Sequence, residues 1–365
     1  MPQSEKTFLN PYRWVHVEAH PNLGRPAYHH QLGGFSGRLE CTLTALTPLF
    51  VAGKAGLFHS TIRDGRQVPC IPGTSLKGAI RTLAEVISGS AVAHGDGIDD
   101  AHAPRCAVTG TGTNYCMDMV SRVFGTLQRG DGGVYAGAVQ FSDAVCSDPA
   151  ANPSRWKEYA IVVGAPKPTH RAFYPDRAAR KFYHHHVGAT DLVTTQLNQN
   201  RRVRPAPAGT SFSFQVQYRG LSQDELNMLV YSLVLEQDVT VTLSAAATGT
   251  DQAATFSGPM RHKIGGGKSA GAGSCHLQVT QWQQFAGADD RYRNNRAGES
   301  RFTDAALSEA IQICIAPYVN RTDRTMQDLR AMLVYSERDP RCGRFQYPSN
   351  QWFTDNSSVR LRPTR

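Results

Sequence analysis

No run of 18 apolar residues occurs in this chain, and the opening Met1-Pro2-Gln3-Ser4-Glu5-Lys6 has no apolar core of the kind that begins a secretory leader. Both absences predict a soluble, cytoplasmic protein. The eight cysteines, at 41, 70, 106, 116, 146, 275, 314 and 342, include no Cys-x-x-Cys pair. That excludes the strongest zinc-finger and dithiol spacings and predicts reduced thiols. Acidic residues are in deficit, with 30 Asp and Glu against 39 Lys and Arg, for a net charge of +9 and a pI near 9.2. An excess of that size favours a polyanionic partner, nucleic acid first. The 365 residues allow two domains, or one with large insertions. At 40% hydrophobic the chain can build a core, while 33 glycines and 20 prolines predict many turns and long loops.

The clearest local signal is Ile71-Pro72-Gly73-Thr74-Ser75-Leu76-Lys77-Gly78-Ala79-Ile80-Arg81. Pro72-Gly73 breaks the preceding segment and Thr74 or Ser75 is suited to cap a helix. Leu76, Ile80, Leu83, Ala84 and Ile87 then follow at helical spacing, so the pattern predicts a helix over Ser75–Ser88. Lys77 and Arg81 stand four apart and share a face away from that stripe. Free N–H groups at Gly73, Thr74 and Ser75 beside two cations make a phosphate-binding arrangement. An ordinary capped surface helix is the alternative.

Before this helix, residues 37–47 alternate apolar with polar and predict a half-buried strand. A loop from Gly53 to Pro72 follows, carrying Lys54 and His59, and its length suggests a functional role. Residues 88–118 read as an irregular Gly/Ala/His-rich insertion. His102, Cys106 and Cys116 are the candidate zinc ligands there, although ten residues separate the cysteines and two unrelated thiols explain them better. Val134–Ala144 predicts a strand. Residues 165–207 hold the densest charge, including Arg180, Lys181, Arg201 and Arg202, with Phe173, Tyr174, Phe182 and Tyr183 interleaved. Cations among aromatics suit single-stranded nucleic acid, whose phosphates follow the charges while its bases stack. His184-His185-His186 cannot all face one metal ion from a strand or helix.

Thr210–Tyr218 alternates cleanly, and Ser222 with Glu225 forms a capping box that opens a helix to about Leu235. The run Lys263-Ile264-Gly265-Gly266-Gly267-Lys268-Ser269 resembles a nucleotide-binding loop. His262 stands where that motif needs glycine, however, and the run leads into a strand, His276–Val279. Its glycines still permit close approach to a phosphate chain. Residues 285–300 are polar, Ala305–Ala316 and Met326–Tyr335 read as helices, and Tyr347–Phe353 forms an aromatic tail.

The Ile-Pro-Gly-Thr-Ser-Leu-Lys-Gly-x-x-Arg helix, a long loop before it and a late Gly-rich loop before a final strand resemble the RAMP superfamily. These are CRISPR-associated RNA-binding proteins. Asn10-Pro11-Tyr12 and Arg180-Lys181-Phe182-Tyr183-His184-His185 are similar to backbone subunits of type III-like effectors. The resemblance implies an α+β fold with a modified RRM/ferredoxin-like (βαββαβ) core, large insertions including a thumb-like β-hairpin, and in some relatives structural zinc. It implies an N-terminal arm (1–35), a core (36–282) with insertions at about 88–120 and 160–207, and a helical C-terminal extension (283–365).

The implied function is guide-RNA binding by stacked copies of the subunit, presenting the guide to a complementary target beside other effector subunits. On this reading Lys54, His59, Gly73, Thr74, Ser75, Lys77, Arg81, Arg180, Lys181, Arg201, Arg202, Lys263, Gly266, Gly267, Lys268 and Ser269 meet RNA. Cleaving relatives carry an Asp in the loop before the helix. Here residues 53–61 hold no carboxylate, so binding without cleavage is expected, and a separate nuclease would cut. The alternative is an endoribonuclease acting on target or precursor RNA, with His59 or Asp64 as the candidate catalytic groups.

Overall fold

A computed structural model describes residues 9–17, 23–26, 33–90, 108–109, 116–127, 134–162, 179–188, 192, 200–250, 252–285, 299–345 and 355. The main elements in chain order are β1 (Phe35–Ala45), β2 (Ser60–Arg63), β3 (Arg66–Ile71), α1 (Gly73–Ser88), α2 (Met119–Phe124), β4 (Val139–Phe141), β5 (Ala144–Cys146), β6 (Ser211–Leu221), α3 (Gln223–Val234), β7 (Ser274–Phe285), α4 (Asp304–Val319) and α5 (Arg324–Leu333).

Strands β7, β1, β6 and the β4/β5 segment lie side by side, every neighbouring pair antiparallel. With α1 between β1 and β4, and α3 between β6 and β7, this is the βαββαβ order of a ferredoxin-like core. The hairpin β2–β3 extends the sheet beyond β5, and the short strands His262–Lys263 and Glu299–Phe302 both pair with β7. Alternation explains which face is covered. Leu39, Cys41 and Leu43 of β1 and Phe212, Phe214 and Val216 of β6 point into the core, whereas Glu40, Thr42, Thr44, Ser213, Gln215 and Gln217 point away. Helices α1 and α3 pack together over the apolar face, α4 packs on α3, and α5 continues the same core through Met326, Leu329 and Met332. The open face of β1 and β6 carries no aromatic residue, so it lacks the stacking platform with which RRM sheets hold bases.

Several elements differ from expectation. The loop from Gly53 to Pro72 is largely the hairpin β2–β3, turned by Asp64 (φ 48°) and Gly65 (φ 73°), the Asp-Gly chemistry of a two-residue hairpin turn. Val134–Ala144 is not one strand: residues 134–136 pair with Gly125–Leu127, and β4 and β5 pair with β6 on either side of a break at Ser142-Asp143. The N-terminal stretch contributes a strand, Tyr12–His16, antiparallel to Ala179–Tyr183. Tyr159–Val162 and Asn200–Val203 form a two-stranded ladder flanking most of the charged insertion. Residues 163–178 and the tail Tyr347–Phe353 lie outside the described residues.

Candidate nucleic-acid interface

The predicted cations fall into three groups. The first is spent inside the protein. Helix α1 starts at Gly73 with Pro72 as its N-cap, not at Thr74 or Ser75, and its N-terminus is not free. The Gly73 N–H donates to Asp143 Oδ1 at 2.8 Å, and a Cβ at Gly73 would lie 2.2 Å from the Phe141 carbonyl oxygen. The β4/β5 break thus packs against the helix start, and Asp143 supplies the negative charge expected of a ligand. Lys77 Nζ donates to the Val139 carbonyl at 3.0 Å, and burial, with Arg81 nearby, holds its pKa below the usual lysine range. Arg81 donates to Glu85 Oε1 at 3.0 Å and to the Gly125 carbonyl at 2.9 Å. Arg180 reaches the other oxygen of Glu85, a carboxylate only 1% exposed. Thr74 and Ser75 remain exposed.

The second group lies at the surface. Gly56 packs so closely on the Arg202 carbonyl that the turn carrying Lys54 is tied to Asn200–Val203. Lys54, Arg201 and Arg202 are all exposed, and Arg202 pairs with Glu158 at 2.8 Å. His59 is half-buried, its backbone engaged by Val51 and Cys70. Asp64 sits exposed at the hairpin turn.

The third group converges. A recess of about 70 Å³ opens between α1, the strand Ala179–Tyr183 and the start of the Gly-rich loop. It is lined by Thr82 and Leu83, by Lys181 and Tyr183, and by Lys263 and Lys268. No carboxylate lines it among the described residues. Lys181 sits 3.6 Å above the centre of the Tyr12 ring, which orients the ammonium without neutralising it. Lys263 donates to the His184 carbonyl. Burial and the charge of Lys268 push the Lys181 pKa down to about 8 and the Lys263 pKa down to about 7. Burial lowers that of Lys268 as well. Three cations sharing one recess without a counter-charge are disfavoured until an anion arrives, and a bound phosphate would draw all three back to their charged forms.

The Gly-rich loop builds one wall. Gly266 N–H donates to the Phe50 carbonyl at 2.8 Å and Gly273 N–H to the Pro48 carbonyl at 2.9 Å, tying the loop to the segment that follows β1. Gly273 has φ +86°, and a Cβ there would meet the Ile264 oxygen at 2.1 Å. This glycine serves the loop's own shape, and Gly267 and Gly271 also hold left-handed backbone. Beneath the loop the three histidines are interior. His184 stacks on Phe345 with ring centroids 4.5 Å apart, His185 Nδ1 meets Ser274 Oγ at 2.8 Å, and burial holds the pKa of each well below its ordinary value. They support the loop as neutral rings. Tyr12 and Thr82 are the contributors that the charge pattern alone did not single out; Tyr12 stood within Asn10-Pro11-Tyr12.

His102 and Cys106 lie outside the described residues, and Cys116 is half-buried. Among the described residues no group of three or more His, Cys, Asp and Glu side chains is placed to hold a metal.

A model of one protein family, the RAMP superfamily, matches residues 42–276, which span β1 through the Gly-rich loop and the start of β7. The chain belongs to the RAMP superfamily. Among solved structures, this RAMP protein is similar to a chain of a Type IV-B CRISPR Complex at 15% identity, over 67% of this chain and 90% of that one. The TM-score is 0.37, a likeness too loose to bear on function. A search of curated proteins finds no match.

Proposed function

We propose that this RAMP protein is a CRISPR RNA-binding backbone subunit of a type III-like effector, which multimerises along the guide and presents it to a complementary target. The observation that carries the reading is the recess holding Lys181, Lys263 and Lys268 without a carboxylate, walled by the Gly-rich loop. A backbone phosphate fits both its charge and its dimensions, and sequence-independent phosphate contact is what a subunit repeated along an RNA requires. The exposed cations Lys54, Arg201 and Arg202 extend the positive surface, and Ser269 lies beside Lys268 in the loop. The net charge of +9 agrees.

The subunit holds target RNA without cutting it. Hydrolysis needs a group to activate the nucleophile and, with a hard divalent ion, oxygen ligands. The segment Gly53–Thr61 supplies none from its side chains except the Ser60 and Thr61 hydroxyls, and Asp64 stands at a hairpin turn. The experiment is to assemble the chain on guide RNA, add labelled complementary RNA with magnesium or manganese, and follow both retention and length. Retained, full-length target is the expected result. Regularly spaced cuts that vanish in His59→Ala or Asp64→Ala would make the chain an endoribonuclease instead.

A further inference from the structure

The basic residues of this chain are mostly arginine, 31 against eight lysines. Three of those eight lysines, Lys181, Lys263 and Lys268, nevertheless line one recess, and no arginine lines it among the described residues. The difference is chemical. A guanidinium stays protonated throughout the range in which proteins work, whereas an amine can lose its proton and attack carbon. A recess that needed only fixed positive charge would be served as well by arginine, as the buried Glu85 is by Arg81 and Arg180. Three amines in one place supply charge and a nucleophile together.

The three amines are not equivalent. Lys263 Nζ donates to the His184 carbonyl, which fixes it at the wall where the Gly-rich loop begins, and its side chain stays partly exposed. Lys181 and Lys268 make no side-chain hydrogen bond or ion pair among the described residues and line the same space. Burial first, and then the charge of Lys268, bring the Lys263 pKa down to about 7. An ordinary solvated lysine near neutral pH is unprotonated in only about one molecule in a thousand. Desolvation beside a second cation is the arrangement that turns a lysine amine into a nucleophile. The uncharged amine still donates one N–H to the His184 carbonyl and keeps its lone pair. With no carboxylate lining the recess among the described residues, an anionic reagent meets no repulsion there.

We propose that the recess is a modification site at which Lys263 is acylated by an acyl phosphate, with Lys181 and Lys268 holding the phosphoryl group. The Lys263 nitrogen attacks the carbonyl carbon and the N–C bond forms. The bond from that carbon to the phosphate oxygen breaks, its electron pair leaving on inorganic phosphate. One proton passes from the nitrogen to the departing phosphate. The product is an uncharged amide that retains one N–H for the His184 carbonyl. This rests on the reading of the recess as a phosphate site and adds a regulation to it. Acylation removes one of three cations from the place where the RNA backbone binds, and bound RNA in turn covers Lys263.

The test incubates the full-length chain, free of RNA, with acetyl phosphate near neutral pH and follows acetylation of each lysine by peptide mass spectrometry. Lys54 and Lys157, both exposed, are the internal references. Lys263 should react at least about tenfold faster than either, at a rate that saturates in acetyl phosphate. Inorganic phosphate replacing chloride at equal ionic strength should slow it. Acetyl-CoA, whose phosphates lie far from its acyl carbon, should show a much smaller preference for Lys263. Lys181→Ala with Lys268→Ala should abolish both the saturation and the inhibition by phosphate. Equal rates at Lys263 and Lys54, or a rate linear in acetyl phosphate, overturn the proposal. So does an undiminished preference with acetyl-CoA, which would mean a reactive amine without an acyl-phosphate site. Affinity for a short RNA is measured on the same samples and should fall by about tenfold once Lys263 is fully acetylated. Selective, saturable acetylation with unchanged RNA affinity would keep the modification site and sink the RNA reading of the recess. RNA binding that depends on Lys181 and Lys268 while Lys263 stays unlabelled would do the reverse.

Discussion

Glu85 is the test of where the chain spends its arginines. Its carboxylate is 1% exposed and receives Arg81 and Arg180, whose side chains are 29% and 21% exposed. Burial pushes the Glu85 pKa up while the two arginines oppose it, so the cluster as a whole adds little net stability. Removing one side of it is another matter. Glu85→Gln keeps the shape but leaves two part-buried guanidiniums sharing a neutral amide, and breaking such a cluster from one side costs about 3 kcal/mol, the lower end of the range because the arginines keep some water. Unfolding entropy near 2.1 cal/mol/K per residue, over 365 residues, converts this to a fall in Tm of about 4 °C. Calorimetry on Glu85→Gln and Arg180→Met reads it, with a smaller fall expected for Arg180→Met because Arg81 still serves Glu85. Both variants should keep the wild-type salt dependence of RNA binding. If Arg180→Met leaves Tm unchanged and flattens that dependence, Arg180 reaches RNA and the internal assignment is wrong.

RNA affinity should fall as pH rises through about 7 to 8, because Lys263 and Lys181 are charged only below those values; equilibrium binding from pH 6 to 9 checks it. Stability should move the other way: the unfolded chain holds these protons up to the ordinary lysine range, so folding becomes more favourable with rising pH above about 7. Gly273→Ala should destabilise the chain by at least about 1–2 kcal/mol, since a left-handed backbone and a 2.1 Å approach both oppose a side chain; thermal unfolding measures it. Elemental analysis tests His102, Cys106 and Cys116. About one zinc per chain, lost in Cys116→Ser, would establish the site, and under about a tenth of an equivalent would dismiss it.

Local periodicity made much of this fold readable. The stripe Leu76, Ile80, Leu83, Ala84, Ile87 and the capping box at Ser222 and Glu225 located α1 and α3, and both Ser222 and Glu225 make their expected bonds. The β2–β3 hairpin was obscured because Pro69 sits inside β3, where a strand reading is normally demoted, even though Asp64-Gly65 signalled the turn. The break at Ser142-Asp143 has a reason that periodicity does not carry, since Asp143 leaves the strand to bond Gly73, seventy residues earlier. The site was half legible for a similar reason. Residue type marked Lys77, Arg81, Arg180, Lys181, Lys263 and Lys268 alike as basic. Which of them meets Glu85 or a carbonyl, and which is left to face its fellows, depends on contacts between distant segments.

The most direct test of the account is the salt dependence of guide-RNA binding by Lys181→Ala with Lys268→Ala, measured beside wild type on a short single-stranded RNA. The side chains of these two lysines make no hydrogen bond or ion pair among the described residues, so their loss removes only the contact of Lys181 with the Tyr12 and Tyr183 rings and leaves the internal hydrogen bonds and ion pairs in place. At about 0.7 per single-strand phosphate, losing the contact with the one phosphate the recess holds should reduce the slope of log K against log salt by about 0.7. Weaker binding with that shallower slope is the predicted result. A folded double variant whose line coincides with wild type would contradict the assignment of the recess to the RNA backbone.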